Sequence, residues 1–598
     1  MQTILVALLL LLAAAPAAAQ IDFSGNWVQR YNEDQPERLA GPELGDYLGL
    51  PLTDAARARA DTWSASLLTL PEHQCKPHPV AYGYRGPSNM RLQQEIDPFT
   101  QRVQKITVHL AWMEQHRDIW MDGRPHPPTA APHTWQGFST GRWDGDTLVV
   151  TTTHMKAGWL RRNGVPYSDR SRFTERWSRH GSVISHVAIL EDPLNLTEPF
   201  VRTTDWSLDP TQTIEAYPCL IVDEIASHEM GKVPHYLPGT NTMLRDFATK
   251  HGLNPDWAEG GAHTVYPEFR TLSRSRAAAA AAVSAPAAAA TPVASEISVL
   301  PIQGSVYLFT GAGANVVAQV GPEGVLLVDT GAAPMSEQLL AAVRRVSGGK
   351  PIRFLLNTSA DAEHTGGNEA LGSAGETVAG GDIRFALGGT SGDGATIIAH
   401  EAVQARMAQP GSGRAPRAFK AWPTETFFTA RKELFFNGEG IQVIHAPKAQ
   451  GDGDVMVYFR KSDVLVAGDL FSTETYPAIR LGEGGSINGL IAALNRIIDT
   501  TIPREKQEGG TYVIPGHGRI VDEAEVVDYR DMVTIIRDRV QDMIRKGMTL
   551  DQVRAARPTM EYDERWSGQS GATTAAAFVE NVYQSLRPPT AAPARRNN

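Results

Sequence analysis

Cysteine is scarce in this sequence of 598 residues, and positive charge is not in excess. The two cysteines exclude a disulfide-dense scaffold and a cysteine-rich zinc module. The 66 acidic residues outnumber the 56 basic ones and give a formal net charge of −10. This balance provides no general attraction for nucleic acid or for an anionic membrane, and we expect no nucleic acid as a partner. With 42% hydrophobic residues, the chain is long and apolar enough to form several folded domains.

Long apolar runs are also missing after the N-terminus, and spanning a bilayer takes about 20 such residues. The run over residues 4–15 is too short for a comfortable span and is followed by small residues up to Gln20. Residues 1–19 are therefore predicted to be a secretory signal peptide, cleaved near Ala19. The first three residues carry no Lys or Arg, which leaves an N-terminal membrane anchor as the alternative.

The predicted signal places the mature chain in the periplasm or outside the cell, where disulfides persist. Cys75 and Cys219 are then candidates for a disulfide. Two buried free thiols are the alternative, because sequence alone does not give the distance between the two residues.

An Ala- and Pro-rich stretch over residues 273–296 divides the chain. It offers no periodic apolar face, and Pro286 and Pro292 interrupt any helix that its alanines would form. We predict a linker between two independent domains, over residues 21–272 and 297–588. Residues 589–598 are predicted to be a disordered tail.

The N-terminal region has short strand-like runs separated by turn residues, a pattern typical of an antiparallel all-β fold, with a barrel or a sandwich as the choices. The clearest runs are Val103 to Leu110, Thr147 to Thr153 and Val183 to Leu190. The opening Phe23-Ser24-Gly25-Asn26-Trp27 and the stretch Gly141 to Val150 resemble exported bacterial β-domains that are described as lipocalin-like. This resemblance implies a β-barrel and no particular ligand.

The C-terminal region alternates β runs with helical stretches, which predicts an α/β layered domain. Polar landmarks follow its apolar strands and should lie together at one edge, where ligands bind. In chain order they are Val328-Asp329-Thr330-Gly331, Asn357 to Asn368, Gly451 to Asp454, Ala467 to Phe471 and Pro515-Gly516-His517-Gly518. Their order and residues resemble the metallo-β-lactamase fold superfamily, which implies an αβ/βα sandwich with metal at this edge.

The histidines expected from that resemblance are missing from one of its two metal sites. The usual loop N-T-H-x-H-x-D-H-x-G-G-N is here Asn357 to Asn368, with Ser359 and Asp361 in the positions of the first two histidines. Gln450 replaces a third histidine. The resemblance implies that these three positions hold one metal ion. Ser and Gln are weak neutral ligands for Zn²⁺, so we expect this first site to be empty or very weak.

The second half of the ligand set is retained with one change. The resemblance implies that Glu363, His364, Asp469 and His517 hold a second metal, with Glu363 in the place of an Asp. Two imidazoles and two carboxylates suit one divalent cation, with Zn²⁺ favoured and Mn²⁺ or Fe²⁺ as alternatives. The same resemblance implies that Asp329 orients the metal-binding loop by accepting hydrogen bonds from it.

Three functional hypotheses remain open for this exported chain. In the first, one metal activates a water for attack on an ester, thioester or amide of a small molecule, with Asp361 or Asp469 as the catalytic carboxylate that orients it. In the second, the site is degenerate and holds no metal, and the domain binds a ligand or partner together with the barrel. In the third, His400 or His445 compensates for the lost histidines, although a structural role suits both.

Overall fold

A computed structural model describes most of the chain outside the N-terminus, the linker and the tail. The described residues are 21–30, 43–84, 89–111, 115–161, 163–214, 219, 232–268, 296–377, 394–409, 415–504, 510–568 and 573–587. The predicted signal peptide, nearly all of the predicted linker and the predicted tail lie outside these ranges. The domain boundaries at those segments therefore stay predictions.

The N-terminal unit is a closed barrel of nine strands, which confirms the predicted barrel-like all-β fold, although the pairing of β4 with β5 is parallel and not antiparallel. Around the barrel the order is β1-β11-β10-β9-β6-β5-β4-β3-β2, and a separate two-stranded ribbon is formed by β7 and β8. The strands are β1 Gly25–Arg30, β2 Met90–Ile96, β3 Val103–Leu110, β4 Gln115–Trp120, β5 Phe138–Asp144, β6 Thr147–Thr153, β7 Gly158–Trp159, β8 Pro166–Tyr167, β9 Arg172–His180, β10 Val183–Glu191 and β11 Phe200–Leu208. The lipocalin-like resemblance stays a prediction.

Large aromatic side chains fill the core of the barrel unit. Trp27, Trp177 and Trp206 are all buried in it. A buried ion pair lies among the strands, in which the Arg117 guanidinium contacts both carboxylate oxygens of Glu175 at 2.6 and 3.0 Å. A buried charge pair of this kind is tolerated only when both groups are bonded on several sides.

The C-terminal unit contains two sheets, of seven and five strands. The first follows chain order from β12 to β18, and its last three pairings, from β15 to β18, are parallel. In the second, β19 to β22 pair antiparallel and β23 adds parallel to β22. The strands are β12 Ser298–Gln303, β13 Val306–Thr310, β14 Val316–Gly321, β15 Gly324–Val328, β16 Ile352–Leu356, β17 Thr396–His400, β18 Glu425–Phe427, β19 Arg431–Phe436, β20 Glu439–His445, β21 Val455–Phe459, β22 Val464–Ser472 and β23 Tyr512–His517.

The described helices belong partly to the barrel unit and mainly to the C-terminal unit. They are α1 Asp54–Thr62, α2 Val80–Gly83, α3 Asp246–Lys250, α4 Pro255–Ala258, α5 Ser336–Ser347, α6 Ala362–Thr365, α7 Asn368–Ser373, α8 Glu401–Ala408, α9 Ile487–Thr500, α10 Glu523–Arg545, α11 Leu550–Ala555, α12 Asp563–Trp566 and α13 Ala575–Leu586. None of them has the length and apolar character needed to cross a bilayer.

The two sheets pack face to face and carry helices on their outer sides. Val328 and Leu356 of the first sheet share one apolar core with Val466 and Ile514 of the second. Helices α5 and α7 cover the outer face of the first sheet, and α9, α10 and α13 cover that of the second. This αβ/βα sandwich confirms the predicted architecture.

Buried ion pairs join the barrel to the sandwich. Asp169 of the barrel contacts Arg519 at 3.1 Å and Arg565 at 2.8 Å, and His73 contacts Asp531 of α10 at 2.7 Å. These carboxylates and their partners are at most 15% exposed. The two units are thus in direct contact, which the prediction of independent domains did not anticipate.

The two cysteines form a disulfide across a long stretch of chain. Cys75 and Cys219 are bonded although 144 residues separate them. Of the two alternatives that the sequence leaves open, the structure contains the bonded one.

Candidate metal centre

The polar landmarks converge on one edge of the sandwich, at the carboxyl ends of its strands. Asp329 directly follows β15, and the loop that begins at Asn357 follows the parallel strand β16. Asp469 lies in β22, where the pairing with β23 becomes irregular, and His517 ends β23. Because parallel strands end at the same edge, residues that are distant in sequence meet there.

His364 is the most deeply buried member of this group, with no exposed surface. Its Nδ1 atom lies 2.6 Å from Asp329 Oδ2. Since a carboxylate only accepts hydrogen bonds, this contact places the ring proton on Nδ1 and turns Nε2 toward the interior of the site. Nε2 lies 3.1 Å from Asp469 Oδ1 but makes no hydrogen bond with any described residue.

Asp329 is held in an unusual backbone conformation with a φ of 63°, in the left-handed region. A conformation of this kind is disfavoured for a residue with a Cβ and persists only where its surroundings stabilise it. The Asp329 carboxylate accepts hydrogen bonds from the backbone NH of Thr358 at 2.8 Å and from the Thr358 hydroxyl at 2.6 Å. Asp329 thus accepts hydrogen bonds from the loop, as the resemblance implies, and its orienting role toward a metal stays a prediction.

Three of the four predicted metal ligands form a compact group. One ligand atom each of His364, Asp469 and His517 lies within 4.8 Å of the other two. His517 Nε2 is 3.6 Å from Asp469 Oδ1. Glu363, the fourth predicted ligand, lies at the rim with its side chain 57% exposed, and its Oε2 is 3.4 Å from His517 Nε2.

The electrostatics of the group favour a cation. Burial opposes a charge on His364, but the carboxylates of Asp469 and Asp329 hold its pKa well above the usual range. Burial likewise opposes the charge of Asp469, yet His364 and His517 lower the pKa of Asp469 to about 2. A buried imidazole nitrogen 3.1 Å from an ionised carboxylate, with a second imidazole beside them, fits a divalent metal ion.

The three positions of the expected first metal are used differently. The buried Ser359 hydroxyl accepts a hydrogen bond from the Asp361 NH at 3.3 Å. The Gln450 side-chain amide donates to the backbone carbonyl of Asp469. The Asp361 carboxylate forms an ion pair with Arg480. All three side chains are thus engaged within the chain.

Arg480 is the site residue that the sequence did not reveal. Its backbone NH donates to the Gln450 carbonyl at 2.8 Å, and its guanidinium reaches from Asp361 to within 3.8 Å of Asp469 Oδ2. The two oxygens of Asp469 therefore face different cations: Oδ2 faces Arg480, and Oδ1 faces the imidazoles. Arg480 lies in the segment between β22 and α9, close in sequence to the metal motifs. No motif marks it as a site residue.

The two histidines considered as replacements lie apart from the compact group. The rings of His400 and His445 stack on each other at 3.9 Å. His445 Nε2 contacts the Asp452 carbonyl at 2.8 Å, and His400 Nδ1 accepts a hydrogen bond from the Ala402 NH at 3.3 Å. These contacts are those of structural histidines.

Comparison with known proteins agrees with this description. Residues 309–517 match the family model of the metallo-β-lactamase superfamily. A linear primary-alkylsulfatase from Pseudomonas sp. is 23% identical over 265 residues, which make up 39% of this chain and 47% of the relative. The chain thus spans about half the length of the curated relative that it matches.

Solved structures that are similar to the chain include two kinds of protein. An inverting sec-alkylsulfatase from Pseudomonas sp. has 16% identity and a TM-score of 0.35, over 48% of this chain and 50% of the other. A metallo-β-lactamase from Pontibacter korlensis has 17% identity and a TM-score of 0.29, over 40% of this chain and 98% of the other. The segment over residues 309–517, which carries His364, Asp469 and His517, is a domain of the metallo-β-lactamase superfamily.

Proposed function

We propose that the protein is a hydrolase that cleaves an ester, thioester or amide-type bond of a small molecule with the help of one divalent metal ion. The observation that carries the proposal is His364 Nε2, which is buried, has no hydrogen bond with any described residue and faces Asp469. The related alkylsulfatase adds sulfate esters to the candidate substrates. Among metals, Zn²⁺ suits the mixed imidazole and carboxylate set, and Mn²⁺ or Fe²⁺ are alternatives.

In this proposal His364, Asp469 and His517 hold the metal, and Glu363 at the rim is the fourth ligand. The ion, when bound, supplies Lewis acidity toward the oxygen of the scissile group. Asp329 keeps the His364 proton on Nδ1, which leaves the Nε2 lone pair available to the ion.

In the proposed reaction, Asp361 accepts a proton from water and Arg480 stabilises negative charge on the reacting group. Asp361 is held by Arg480 beside Asp469, where a carboxylate can orient a water and accept its proton. Arg480 carries a permanent positive charge at the same place and can stabilise negative charge on the reacting group.

A second candidate function is ligand or partner binding without catalysis. The observation that favours it is the internal engagement of Ser359, Asp361 and Gln450, which leaves no imidazole in the first half of the ligand set. A domain that bound a ligand through Arg480 would need no metal.

Metal content separates the two candidates. The mature protein, purified without chelator, should contain close to one metal ion per chain by mass spectrometry, and His364→Ala should lose it. His445→Ala is the matched control, because it removes a nearby imidazole that makes structural contacts only. Absence of metal after loading with Zn²⁺, Mn²⁺ and Fe²⁺ would reject the hydrolase proposal and favour the binding function.

We also propose that the chain is exported to the periplasm or beyond. Two features support this: the apolar N-terminal run with its small-residue cleavage pattern, and the disulfide between Cys75 and Cys219.

A further inference from the structure

The barrel forms one wall of a cleft that opens onto the candidate metal centre. This cleft has a volume of about 600 Å³. One side is formed by residues of the sandwich, among them His517 and Glu474, and the other by barrel residues, among them Arg170 and Arg172. The family match begins at residue 309, so the barrel wall lies outside the segment that the superfamily explains.

Direct bonds fix this wall next to the site. The Ile520 NH donates to the carbonyl of Ala130 in the barrel at 3.1 Å. Asp169 contacts Arg519, which is two residues after His517 in the chain. Because Arg170 directly follows Asp169, the same ion pair holds the backbone of Arg170 beside the strand that carries His517.

The charges that line the cleft are unequal. Four arginines face two carboxylates there, those of Asp169 and Glu474. Asp169 is shared between Arg519 and Arg565, and these three side chains are each at most 15% exposed. They therefore form a structural cluster, and the charged side chains of the open surface are Arg170, Arg172 and Glu474, with one positive charge in excess.

The side chains of Arg170 and Arg172 are not held in ion pairs of this kind. Neither guanidinium makes a hydrogen bond or an ion pair with any residue that the structure describes, and both residues are exposed. Asp169, Glu474 and Glu564 lie near enough to Arg170 to act on it electrostatically without bonding to it. A guanidinium group can donate two parallel hydrogen bonds to two oxygens of a sulfate, phosphate or carboxylate, so a pair of such groups in a cleft beside a reaction centre suits an anion of this kind.

We propose that Arg170 and Arg172 of the barrel form the anion-binding subsite of this centre, and that the substrate is a small organic anion, such as a sulfate or phosphate monoester. The inference rests on the proposed function for the claim that this anion is a substrate, but the binding subsite is testable without metal. It also gives the barrel a role in the reaction: the domain adds two positive charges beside the candidate metal centre.

Binding to the metal-free full-length protein tests the subsite directly. The probes are 4-nitrophenyl sulfate and 4-nitrophenyl phosphate, with neutral 4-nitrophenyl β-glucoside for comparison, each measured by isothermal titration calorimetry at low salt. We expect at least one of the anions to bind, the glucoside not to bind, and the affinity for the anion to fall as salt is added.

The double variant Arg170→Gln/Arg172→Gln should weaken anion binding about tenfold or more, because hydrogen bonds to charged groups are the strong ones. The matched control is Arg142→Gln/Arg176→Gln, which removes the same charge from the barrel at two positions that do not line the cleft. The affinity of this control variant for the anion should stay within about twofold of that of the unchanged protein.

Two results would overturn the inference: no anion binding by the intact protein, or equal loss of affinity in both double variants. Neither result depends on metal content, so the subsite and the hydrolase proposal fail separately. A metal-loaded protein that hydrolyses 4-nitrophenyl acetate but binds neither anion would keep the hydrolase and reject the subsite.

Discussion

At the scale of single residues, the site depends on a carboxylate that does not belong to the compact ligand group. Asp329 accepts three contacts, from His364 Nδ1 and from the NH and hydroxyl of Thr358. It thereby fixes the ring, its proton and the loop that follows β16. A carboxylate that accepts a hydrogen bond from a metal-binding histidine raises the basicity of that histidine and fixes the orientation of its ring.

Asp329→Asn should therefore weaken metal binding while the chain still folds. The amide retains a hydrogen-bonding oxygen but not the negative charge, and loss of such a partner costs about 10- to 100-fold in metal affinity. Competition with a chromophoric chelator measures the change. Thr358→Ser keeps the hydroxyl bonded to Asp329 and should bind metal within about threefold of the unchanged protein. Equal affinity in Asp329→Asn would contradict the orienting role.

At the scale of elements, loops of the barrel unit are joined to the sandwich by charged side chains, Asp169 to Arg519 and Arg565, and His73 to Asp531 of α10. Burial would raise the pKa of Asp169, but the charges of Arg565 and Arg519 lower it to about 2. Burial also opposes ionisation of Asp531, and His73 and Arg530 lower its pKa to about 2. Both carboxylates are therefore ionised in the folded chain at every pH above about 3.

This arrangement predicts a loss of stability in acid. A carboxylate whose pKa is lower in the folded than in the unfolded chain stabilises the fold above its ordinary pKa of 3.8. That contribution disappears as the pH falls from about 4 toward 2, on the order of 2 kcal/mol for Asp169. Melting temperature measured against pH should show the fall.

Asp169→Asn should lower the melting temperature at neutral pH and flatten the curve between about pH 4 and pH 2. The control Asp144→Asn removes a carboxylate that pairs with Arg176 on the barrel surface, where both side chains are at least 44% exposed. An exposed pair contributes about 0 to 1 kcal/mol, so this variant should follow the unchanged protein. If both variants gave the same curve, the ion pair with Arg519 and Arg565 would contribute nothing measurable to stability.

At the scale of the whole molecule, the proposed export would place the chain in a compartment where its disulfide can form. The disulfide closes a long loop through the barrel unit, and such a bond is kept in oxidising compartments. We expect the full chain, expressed in a bacterium, to reach the periplasm or medium with Gln20 as its first residue and no titratable thiol. N-terminal mass spectrometry and thiol titration measure both.

The control for export is the chain without residues 2–19, which should stay in the cytoplasm with two reduced thiols. An intact N-terminus on the full chain, together with cytoplasmic retention, would contradict the proposal. An intact N-terminus on exported chain would instead favour the membrane anchor that the sequence leaves as its alternative.

Much of the fold could be predicted from the sequence because strands and their connections depend on residues that are neighbours in the chain. Strand periodicity predicted β3 and β6 at their observed bounds, and β10 to within one residue. The order of the landmarks predicted that His364, Asp469 and His517 would meet, since parallel strands end at one edge. Side-chain alternation and strand connections are properties of neighbouring residues, so sequence carries them directly.

The tertiary structure decided what depends on packing between distant segments. Arg480 reaches Asp361 across 119 residues, and Arg519 meets Asp169 across 350, without any motif to announce either contact. No motif marks the surroundings of His364 Nε2 or the contribution of the barrel to the cleft either. The sequence by itself thus determined the two folds and the retained ligands. Only the tertiary structure, within the sandwich as well as between barrel and sandwich, determined which charges surround those residues, because a charge acts through distance in space and not through position in the chain.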